Sequence, residues 1–280
     1  MNINCIITGA TDGIGKQTAI QLARKGYRLG LVGRNKEKGH SLLHQIENIT
    51  GNQSLKYFNA DLSIIKNIKK LADDINKEYN SIDILINNAG AYFSRYTKTH
   101  EHLEKTFALN HLSYFFLTYL LISKLESERL GRVINVASRA HFNAKIDIND
   151  FQMEKKYRGW NAYCNSKLMN LLFTYEAHKR FKESNITFNC LHPGFVNSSF
   201  GDNNEGLGKS ILTICKKLIA IDVIKGAETS IFLASSKKVE NISGKYFDKL
   251  SLAKSSKISY SDYVQKKLWS YSEKIIQDLF

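Results

Sequence analysis

The sequence predicts an α/β fold in which helices cover both faces of a parallel sheet. Short runs rich in Ile, Leu and Val alternate along the chain with longer segments whose apolar residues recur every three or four positions. Strands that alternate with helices build parallel sheets, because each helix returns the chain to the edge where the next strand begins. The first strand ends in a glycine-rich turn, and later strands end in small or polar residues. These features indicate a doubly wound sheet of about seven strands.

The length and composition fit one globular domain in a reducing compartment. With 280 residues, 43% of them hydrophobic, the chain can bury a large core, and no repeat or linker marks a boundary, so we expect one domain over residues 1–280. A strand-like run begins at Ile3, which leaves no room for a signal peptide, and no apolar stretch is long enough to cross a bilayer. The four scattered cysteines predict free thiols and no zinc site, which favours a cytoplasmic location.

The basic net charge of the chain is compatible with two kinds of anionic partner. The formal net charge is +14, from 40 basic and 26 acidic residues, which would suit nucleic acid or an anionic membrane. The lysines are spread out, in isolated pairs such as Lys69-Lys70 and Lys216-Lys217, without interleaved aromatic residues. Solvated helix faces and a phosphate-bearing ligand explain this pattern better. We therefore expect no nucleic acid, while peripheral contact with a membrane stays open.

Seven apolar runs predict the strands of the sheet. They are Ile3–Thr8, Arg28–Gly33, Leu55–Ala60, Ile82–Ile86, Arg132–Ala137, Ile186–Leu191 and Gly244–Phe247. Helical spacing is found in Ile14–Lys25, Lys36–Glu47, a segment capped by Ser63 that ends at Tyr79, His102–Glu128, Ala162–Arg180, Gly226–Ser235 and Tyr260–Leu279. Residues 195–225, with a short helix over Ser210–Ala220, predict a substrate loop or lid. The helical tail, about residues 258–280, has no function that its pattern indicates.

A glycine-rich turn joins the first strand to the first helix. Its sequence, Thr8-Gly9-Ala10-Thr11-Asp12-Gly13-Ile14-Gly15, has the spacing G-x-x-x-G-x-G. Glycine lets the backbone approach a pyrophosphate closely, and the helix N-terminus offers unpaired N–H groups and the positive end of its dipole. A plain tight turn would use the same residues. At this junction the turn predicts a dinucleotide site formed by Gly9, Thr11, Asp12, Gly13, Ile14 and Gly15.

The end of the second strand indicates which dinucleotide is bound. Gly33 and Arg34 stand where a site for NAD(H) carries an acid that binds the ribose 2′-hydroxyl. An acid would repel a 2′-phosphate, whereas an arginine can bind it with two hydrogen bonds. Lys16, just after the glycine turn, adds positive charge nearby. These residues favour NADP(H) over NAD(H).

Small and polar residues also follow the other strands. Ligands of open parallel sheets bind at the carboxyl ends of the strands, so these positions are candidate cofactor contacts. They are Asp61 and Leu62 after the third strand, Asn88, Ala89 and Gly90 after the fourth, and Pro193, Gly194 and Val196 after the sixth. Ser138 follows the fifth strand, and Asn110 lies in the long helix before that strand. Taken alone, a serine at a strand end is often only a helix cap.

Tyr163 and Lys167 form the most informative pair in the chain. They are four residues apart in a helical run, so both side chains leave one face of the helix, one turn apart. An ammonium beside a phenol favours the phenolate, and we expect it to lower the pKa of Tyr163 from its ordinary value of roughly 10. Such a tyrosine can give a proton to a carbonyl oxygen or take one from an alcohol. The same spacing also suits an ordinary helix with a core aromatic and a solvated lysine.

Taken in order, these motifs resemble those of the short-chain dehydrogenase/reductase family. The resemblance covers nearly the whole chain and rests on Thr8-Gly9-x-x-x-Gly13-x-Gly15, Asp61-Leu62, Asn87-Asn88-Ala89-Gly90, Asn110, Ser138, Tyr163-x-x-x-Lys167 and Pro193-Gly194. Longer phrases are similar to the retinol dehydrogenase branch of that family. They are Asn110-His111-Leu112-Ser113, Val136-Ala137-Ser138-Arg139-Ala140-His141, Ala162-Tyr163-Cys164-Asn165-Ser166-Lys167-Leu168 and an insert from Lys145 to Tyr157.

The resemblance implies a Rossmann-type fold and a role for each motif residue. Tyr163 would be the acid/base, Lys167 would lower its pKa and hold the nicotinamide ribose, and Ser138 would bind the substrate oxygen. Asn110 would hold a water of the proton relay. The family transfers a hydride between a nicotinamide cofactor and a carbonyl carbon. Contacts with that cofactor are implied for Asp61, near its adenine, and for Asn88 and Gly90.

Three functions from different classes remain open at this stage. The first is an NADP(H)-dependent carbonyl reductase/alcohol dehydrogenase that resembles a retinol dehydrogenase and acts on a small apolar substrate. A homodimer is compatible with this function. The second is a catalytically idle NADP(H)-binding sensor or scaffold, against which the complete set of Ser138, Tyr163 and Lys167 argues. The third is a nucleic-acid or membrane-surface binder that uses the charge of +14.

Overall fold

The computed structural model describes residues 3–126, 129–194 and 223–280. The strands in these ranges are β1 (Asn4–Thr8), β2 (Arg28–Gly33), β3 (Leu55–Asn59), β4 (Ile84–Asn87), β5 (Gly131–Val136), β6 (Ile186–His192), β7 (Lys245–Asp248) and β8 (Ser251–Ala253). They form one sheet in the order β3-β2-β1-β4-β5-β6-β7-β8. All neighbouring strands are parallel except β7 and β8, which are antiparallel. The predicted α/β class is confirmed.

Helices cover both faces of this sheet. The helices of the described ranges are α1 (Gly13–Arg24), α2 (Lys36–Thr50), α3 (Ile65–Glu78), α4 (Ser113–Leu125), α5 (Gly159–Arg180), α6 (Val223–Ser235) and α7 (Asp262–Leu279). Successive strand residues point to opposite faces, so Ile6 of β1 packs with α3, α4, α5 and α7, whereas Cys5 and Ile7 pack with α1, α2 and α6. Cys5, Cys164 and Cys190 are buried free thiols. None of the described helices is both long and apolar enough to span a bilayer.

The C-terminal helix α7 belongs to the core. Its Trp269 is 5% exposed and meets Phe115 of α4 with ring centroids 4.9 Å apart and Phe173 of α5 at 5.9 Å. The guanidinium of Arg180 lies 4.5 Å from the centroid of the same indole ring. The tail, for which the sequence indicated no function, therefore closes one face of the sheet.

Three local predictions differ from the structure. The helix predicted over His102–Glu128 is interrupted: an α-turn at Lys105–Phe107 leads into a π-helical turn at Ala108–Leu112, and α4 follows. Ser63 does not cap α3, whose N-cap is Ile64; the Ser63 hydroxyl instead donates to Asp61 Oδ1 at 2.7 Å.

The third difference is strand β8, which the sequence did not predict. It pairs with β7 across a two-residue turn, Lys249-Leu250, in which both residues have positive φ angles of 48° and 65°. The predicted helix Ser210–Ala220 and most of the predicted lid lie outside the described residues, and residues 223–225 of that lid belong to α6.

Candidate active site

A cleft of about 600 Å³ lies along the carboxyl ends of the central strands. Its volume is within the range of ligand pockets, about 300–1,000 Å³. The predicted cofactor residues that line it are Gly9, Thr11, Asp12, Gly13, Ile14, Gly15, Arg34, Asp61, Leu62, Asn88, Ala89, Gly90, Tyr163, Lys167 and Pro193. Gly194 directly follows with a φ of +88°, and Val196 lies outside the described residues. The strand ends thus bring nearly all of the predicted residues together.

The glycine turn is shaped by two left-handed residues and one close approach. Gly9 and Gly13 have φ angles of +64° and +53°, which favour glycine. A Cβ on Gly15 would lie 2.2 Å from the Gly9 carbonyl oxygen and 2.5 Å from Asn88 Nδ2. Asp12 is the N-cap of α1, and its Oδ1 accepts a hydrogen bond from Gly13 N–H at 2.7 Å. The turn at the start of α1 is therefore too tightly packed to accept a side chain at Gly15.

The end of β4 is fastened to the glycine turn. Asn88 Nδ2 donates to the carbonyl oxygens of Thr8 at 2.9 Å and Gly9 at 3.2 Å. In return, Thr8 Oγ1 accepts from the N–H groups of Asn88 at 2.9 Å and Ala89 at 3.1 Å. These four bonds make the ends of β1 and β4 one rigid edge of the cleft.

Basic residues stand at the end of β2. Arg34 is exposed and lines the cleft, and Lys38, in the first turn of α2, lines it too. Lys16, which the sequence suggested as a neighbouring charge, is not among the described lining residues. Sequence reasoning missed Lys38, because Arg34 precedes α2 and helical spacing therefore gives no sign that the two residues line the same cleft.

Tyr163, Ser138 and Lys167 meet at the carboxyl end of β5. The hydroxyls of Tyr163 and Ser138 are hydrogen bonded to each other. Ser138 Oγ also accepts from Ala140 N–H at 3.2 Å, which leaves its own O–H to point to the Tyr163 oxygen. Lys167 is 4% exposed, and its Nζ donates to the Val136 carbonyl oxygen at 3.0 Å. A proton donor, a hydroxyl partner and a buried cation therefore share one corner of the cleft.

Burial decides the protonation of both Tyr163 and Lys167. It raises the pKa of Tyr163 to about 12, although the Ser138 hydrogen bond acts in the opposite direction. It lowers the pKa of Lys167 to about 8. The prediction that Lys167 depresses the pKa of Tyr163 is therefore wrong for the residues of this chain. The ammonium lies 5.8 Å from the phenol ring centroid, and the loss of hydration on burial, which is the largest cause of the shift, disfavours the phenolate.

Asn110 lies in the π-helical turn and supports the cleft from behind. Its Oδ1 accepts from Ala91 N–H at 2.9 Å, and its Nδ2 donates to the Ala91 carbonyl at 2.9 Å and to Ser166 Oγ at 3.0 Å. A Cβ on Gly90 would lie 3.2 Å from Asn110 Oδ1 and 3.3 Å from Lys167 Nζ. Asn110 therefore ties the end of β4 to α5; its predicted role in a water relay stays a prediction.

Aromatic rings surround Tyr163. The Trp160 ring stacks on the Tyr163 ring at a centroid distance of 5.9 Å and is 50% exposed. The Tyr92 ring meets the same phenol edge-on at 6.4 Å. Sequence reasoning missed both rings, although Trp160 precedes Tyr163 by three residues on one helix and so was readable as a neighbour. Phe93 and Lys105 of the cleft lining were missed as well.

Comparison with known proteins gives consistent matches. The short chain dehydrogenase family model matches residues 4–206. Retinol dehydrogenase 11 of Mus musculus is 36% identical over 270 residues, which are 95% of this chain and 84% of that protein. Retinol dehydrogenase 12 of Homo sapiens is 37% identical over 270 residues, with the same coverage of 95% and 84%.

Solved structures match over nearly the full length. An uncharacterized protein from Mycobacterium paratuberculosis has a TM-score of 0.79 at 27% identity, covering 98% of this chain and 93% of that one. A short chain dehydrogenase from Escherichia coli CFT073, solved as a complex with NADPH, has a TM-score of 0.67 at 21% identity, covering 90% of this chain and 98% of that one. The second match concerns the fold alone.

Proposed function

Because the chain belongs to the short-chain dehydrogenase/reductase family of oxidoreductases, we propose that it interconverts an apolar alcohol and its aldehyde or ketone with NADP(H). One observation carries this proposal. The Tyr163 hydroxyl is bonded to Ser138, beside buried Lys167, in a cleft that also contains the glycine turn. A binding protein without catalysis has no use for a proton donor held in this way.

The shape and charge of the cleft support a phosphorylated dinucleotide. Gly9 and Gly15 leave no room for a side chain beside the end of β4, and Gly13, Ile14 and Gly15 at the start of α1 line the cleft, where backbone N–H groups would bind a pyrophosphate. Arg34 and Lys38 would bind a 2′-phosphate, since a guanidinium offers two hydrogen bonds and an ammonium adds charge. When bound, NADPH supplies the hydride that reduces a carbonyl carbon.

The protein residues would manage the proton and the substrate oxygen. The Ser138 hydroxyl would donate to the carbonyl oxygen of the substrate, and Tyr163 would give its proton to the same oxygen. Since burial raises the pKa of Tyr163 to about 12, the phenol is protonated at neutral pH and ready for reduction. The Lys167 ammonium would stabilise the phenolate that remains after this transfer.

The rings beside Tyr163 support an apolar substrate. Trp160 and Tyr92 flank the proton donor, and half of the Trp160 side chain is exposed. Carbon-rich substrates gain free energy by covering such surface. Since similar proteins are named retinol dehydrogenases, retinoids are among the substrates that should be tested.

The proposal is tested by supplying NADPH and a panel of apolar aldehydes and ketones, retinal among them, to the purified protein. We expect NADPH absorbance to fall in proportion to the alcohol formed for at least one class of substrate. NADPH that binds, as seen by its fluorescence, without reduction of any compound would instead support an idle cofactor-binding protein.

A further inference from the structure

Two buried histidines contact one peptide group, the one that joins Ser138 to Arg139. The carbonyl oxygen of Ser138 accepts from His141 Nδ1 at 2.6 Å, and the N–H of Arg139 donates to His192 Nδ1 at 3.2 Å. His141 is fully buried, and His192 is 8% exposed. Neither histidine is among the described residues that line the cleft. Both ends of this peptide plane are therefore held by imidazole rings, and the backbone N–H of His141 adds a hydrogen bond of 3.1 Å to the Ser138 carbonyl oxygen.

The partners of each ring define its tautomer. A carbonyl oxygen cannot donate, so His141 carries its proton on Nδ1, and its Nε2 accepts from Ser256 N–H at 3.2 Å. A backbone N–H cannot accept, so His192 has no proton on Nδ1, and the neutral ring carries it on Nε2. Burial lowers the pKa of both rings, that of His192 to about 4, which agrees with two neutral imidazoles. The two histidines thus have opposite tautomers.

The orientation of this peptide plane controls the direction of the Ser138 side chain. Ser138 is the N-cap of a short 3₁₀ helix, Arg139–Asn143, with φ −163° and ψ 153°. The clamped plane fixes ψ of Ser138, because rotation about Cα–C would break both imidazole contacts. With the plane fixed, the Ser138 hydroxyl stays beside the Tyr163 oxygen. Small displacements of a positioned group near the reacting atoms have large effects on rate.

The clamp also links distant parts of the chain to Ser138. His192 is the last residue of β6, directly before Pro193, which lines the cleft. Ser256, which donates to His141, is the N-cap of the 3₁₀ turn Lys257–Tyr260, and this turn leads into α7. Both the sheet and the C-terminal segment therefore reach the catalytic corner through an imidazole.

We propose that His141 and His192 are positioning residues that clamp the Ser138–Arg139 peptide through opposite tautomers and so aim the Ser138 hydroxyl. This inference rests on the proposed reductase function, in which Ser138 holds the substrate oxygen. Neither histidine touches substrate or cofactor in this proposal, so loss of the clamp changes kcat and leaves cofactor binding intact.

Paired substitutions separate the clamp from simple packing. An asparagine places its amide where Nδ1 of histidine lies, and this amide can donate at position 141 or accept at position 192. A glutamine places its amide near Nε2 and removes the imidazole contact, so at position 141 only the backbone N–H, which donates to the Ser138 carbonyl oxygen at 3.1 Å, still holds the peptide. We expect His141→Asn and His192→Asn to keep kcat within a few-fold of wild type, whereas His141→Gln and His192→Gln lose about 10- to 100-fold. The Kd of NADPH should be unchanged in all four variants.

A matched control is His178→Gln, since His178 bonds Ser243 at 2.9 Å and does not line the cleft. It should keep both kcat and the Kd of NADPH. Glutamine variants at 141 and 192 that match or exceed the asparagine variants in kcat would overturn the clamp. So would a loss of NADPH affinity that parallels the loss of kcat.

Nitrogen-15 NMR of labelled histidine in the full chain gives a readout that needs no variant to fold well and no substrate. We expect His141 to be protonated on Nδ1 and His192 on Nε2 at neutral pH. The reverse tautomer at either position would overturn the clamp. A wild-type protein that reduces no carbonyl would refute the proposed function, while the tautomers would still decide whether the clamp exists.

Discussion

The two ends of the cleft are built in different ways. At the end of β2, exposed Arg34 and Lys38 offer charge in water, beside a glycine turn that offers backbone. At the end of β5, Tyr163 and Lys167 are 8% and 4% exposed, and their polar atoms contact Ser138 and the Val136 carbonyl. Charges at the first end are screened by salt, whereas groups at the second are governed by the loss of hydration. Variants should therefore affect binding at one end and chemistry at the other.

The largest effect is expected at the buried end. Tyr163→Phe removes the proton donor and keeps the ring, so turnover should fall by about 10²–10⁴, the range for general acid–base groups. The Kd of NADPH, measured by fluorescence titration, should hardly change. Tyr175→Phe is the matched control, because it removes another buried hydroxyl of α5 that bonds Ser255 away from the cleft. Near-wild-type turnover in Tyr163→Phe would mean that the proton comes from another group.

A smaller effect is expected at the exposed end. The double variant Arg34→Ala/Lys38→Ala should have a smaller preference for NADPH over NADH, measured as the ratio of the two kcat/KM values. Hydrogen bonds to charged groups are worth about 1.5–3 kcal/mol, and exposure favours the lower value, which corresponds to roughly tenfold. Added salt should reduce the wild-type preference in the same direction.

Two other lysines, Lys16 and Lys36, test whether position matters at this end. Lys16→Ala and Lys36→Ala remove the same charge at positions outside the described cleft lining, so both should keep the NADPH preference. The assignment of Arg34 and Lys38 to the 2′-phosphate would be contradicted if the wild-type protein preferred NADH. It would also be contradicted if the NADPH preference fell as much in these two controls as in the Arg34/Lys38 double variant.

The smallest effect concerns pH. Burial lowers the pKa of Lys167 from 10.5 to about 8, so its charged form is present below pH 8 and is lost as the pH rises through that value. Tyr163, with its pKa raised to about 12, stays protonated over this range. The kcat of carbonyl reduction should therefore fall a few-fold above about pH 8. In Lys167→Arg the guanidinium stays charged, so its normalised profile should be flat there; an unchanged fall would exclude Lys167 as its source.

The sequence predicted which residues gather at the strand ends better than it predicted the protonation of Tyr163. Apolar runs that end in Gly9, Asp61 or Asn88 are local signals, and the sheet gathers such ends on one edge. The pKa of Tyr163 had the wrong predicted sign, because burial depends on packing that spacing does not encode. The π-helical turn at Asn110 was not predicted, since it spans only five residues and hardly changes the apolar pattern of the long helical run around it.

The turn before β8 and the capping of α3 show why local rules also fail. Lys249 and Leu250 adopt positive φ angles that glycine or asparagine usually adopts, so no turn signal was present. Ser63 had the right type for an N-cap, but α3 begins one residue further on, and the N–H and hydroxyl of Ser63 both donate to Asp61 Oδ1 in the turn before the helix. Sequence reasoning assigned no role to the two buried histidines near Ser138, which stood only within a family motif and at a strand end. Their contacts with the same peptide group depend on the folded chain.

The strand order also gives the sheet a direction of growth during translation. β1 is made first and lies inside the sheet; β2 and β3 add to one side, and β4 to β7 then add in turn to the other. Each strand leaves the ribosome when its neighbour already exists, and no strand must insert between two others. Helix α7 differs, because Trp269 covers Phe115 and Phe173. Until residues 262–279 emerge, the side of these rings that Trp269 covers stays exposed to water, and such surface makes an incomplete chain prone to aggregation.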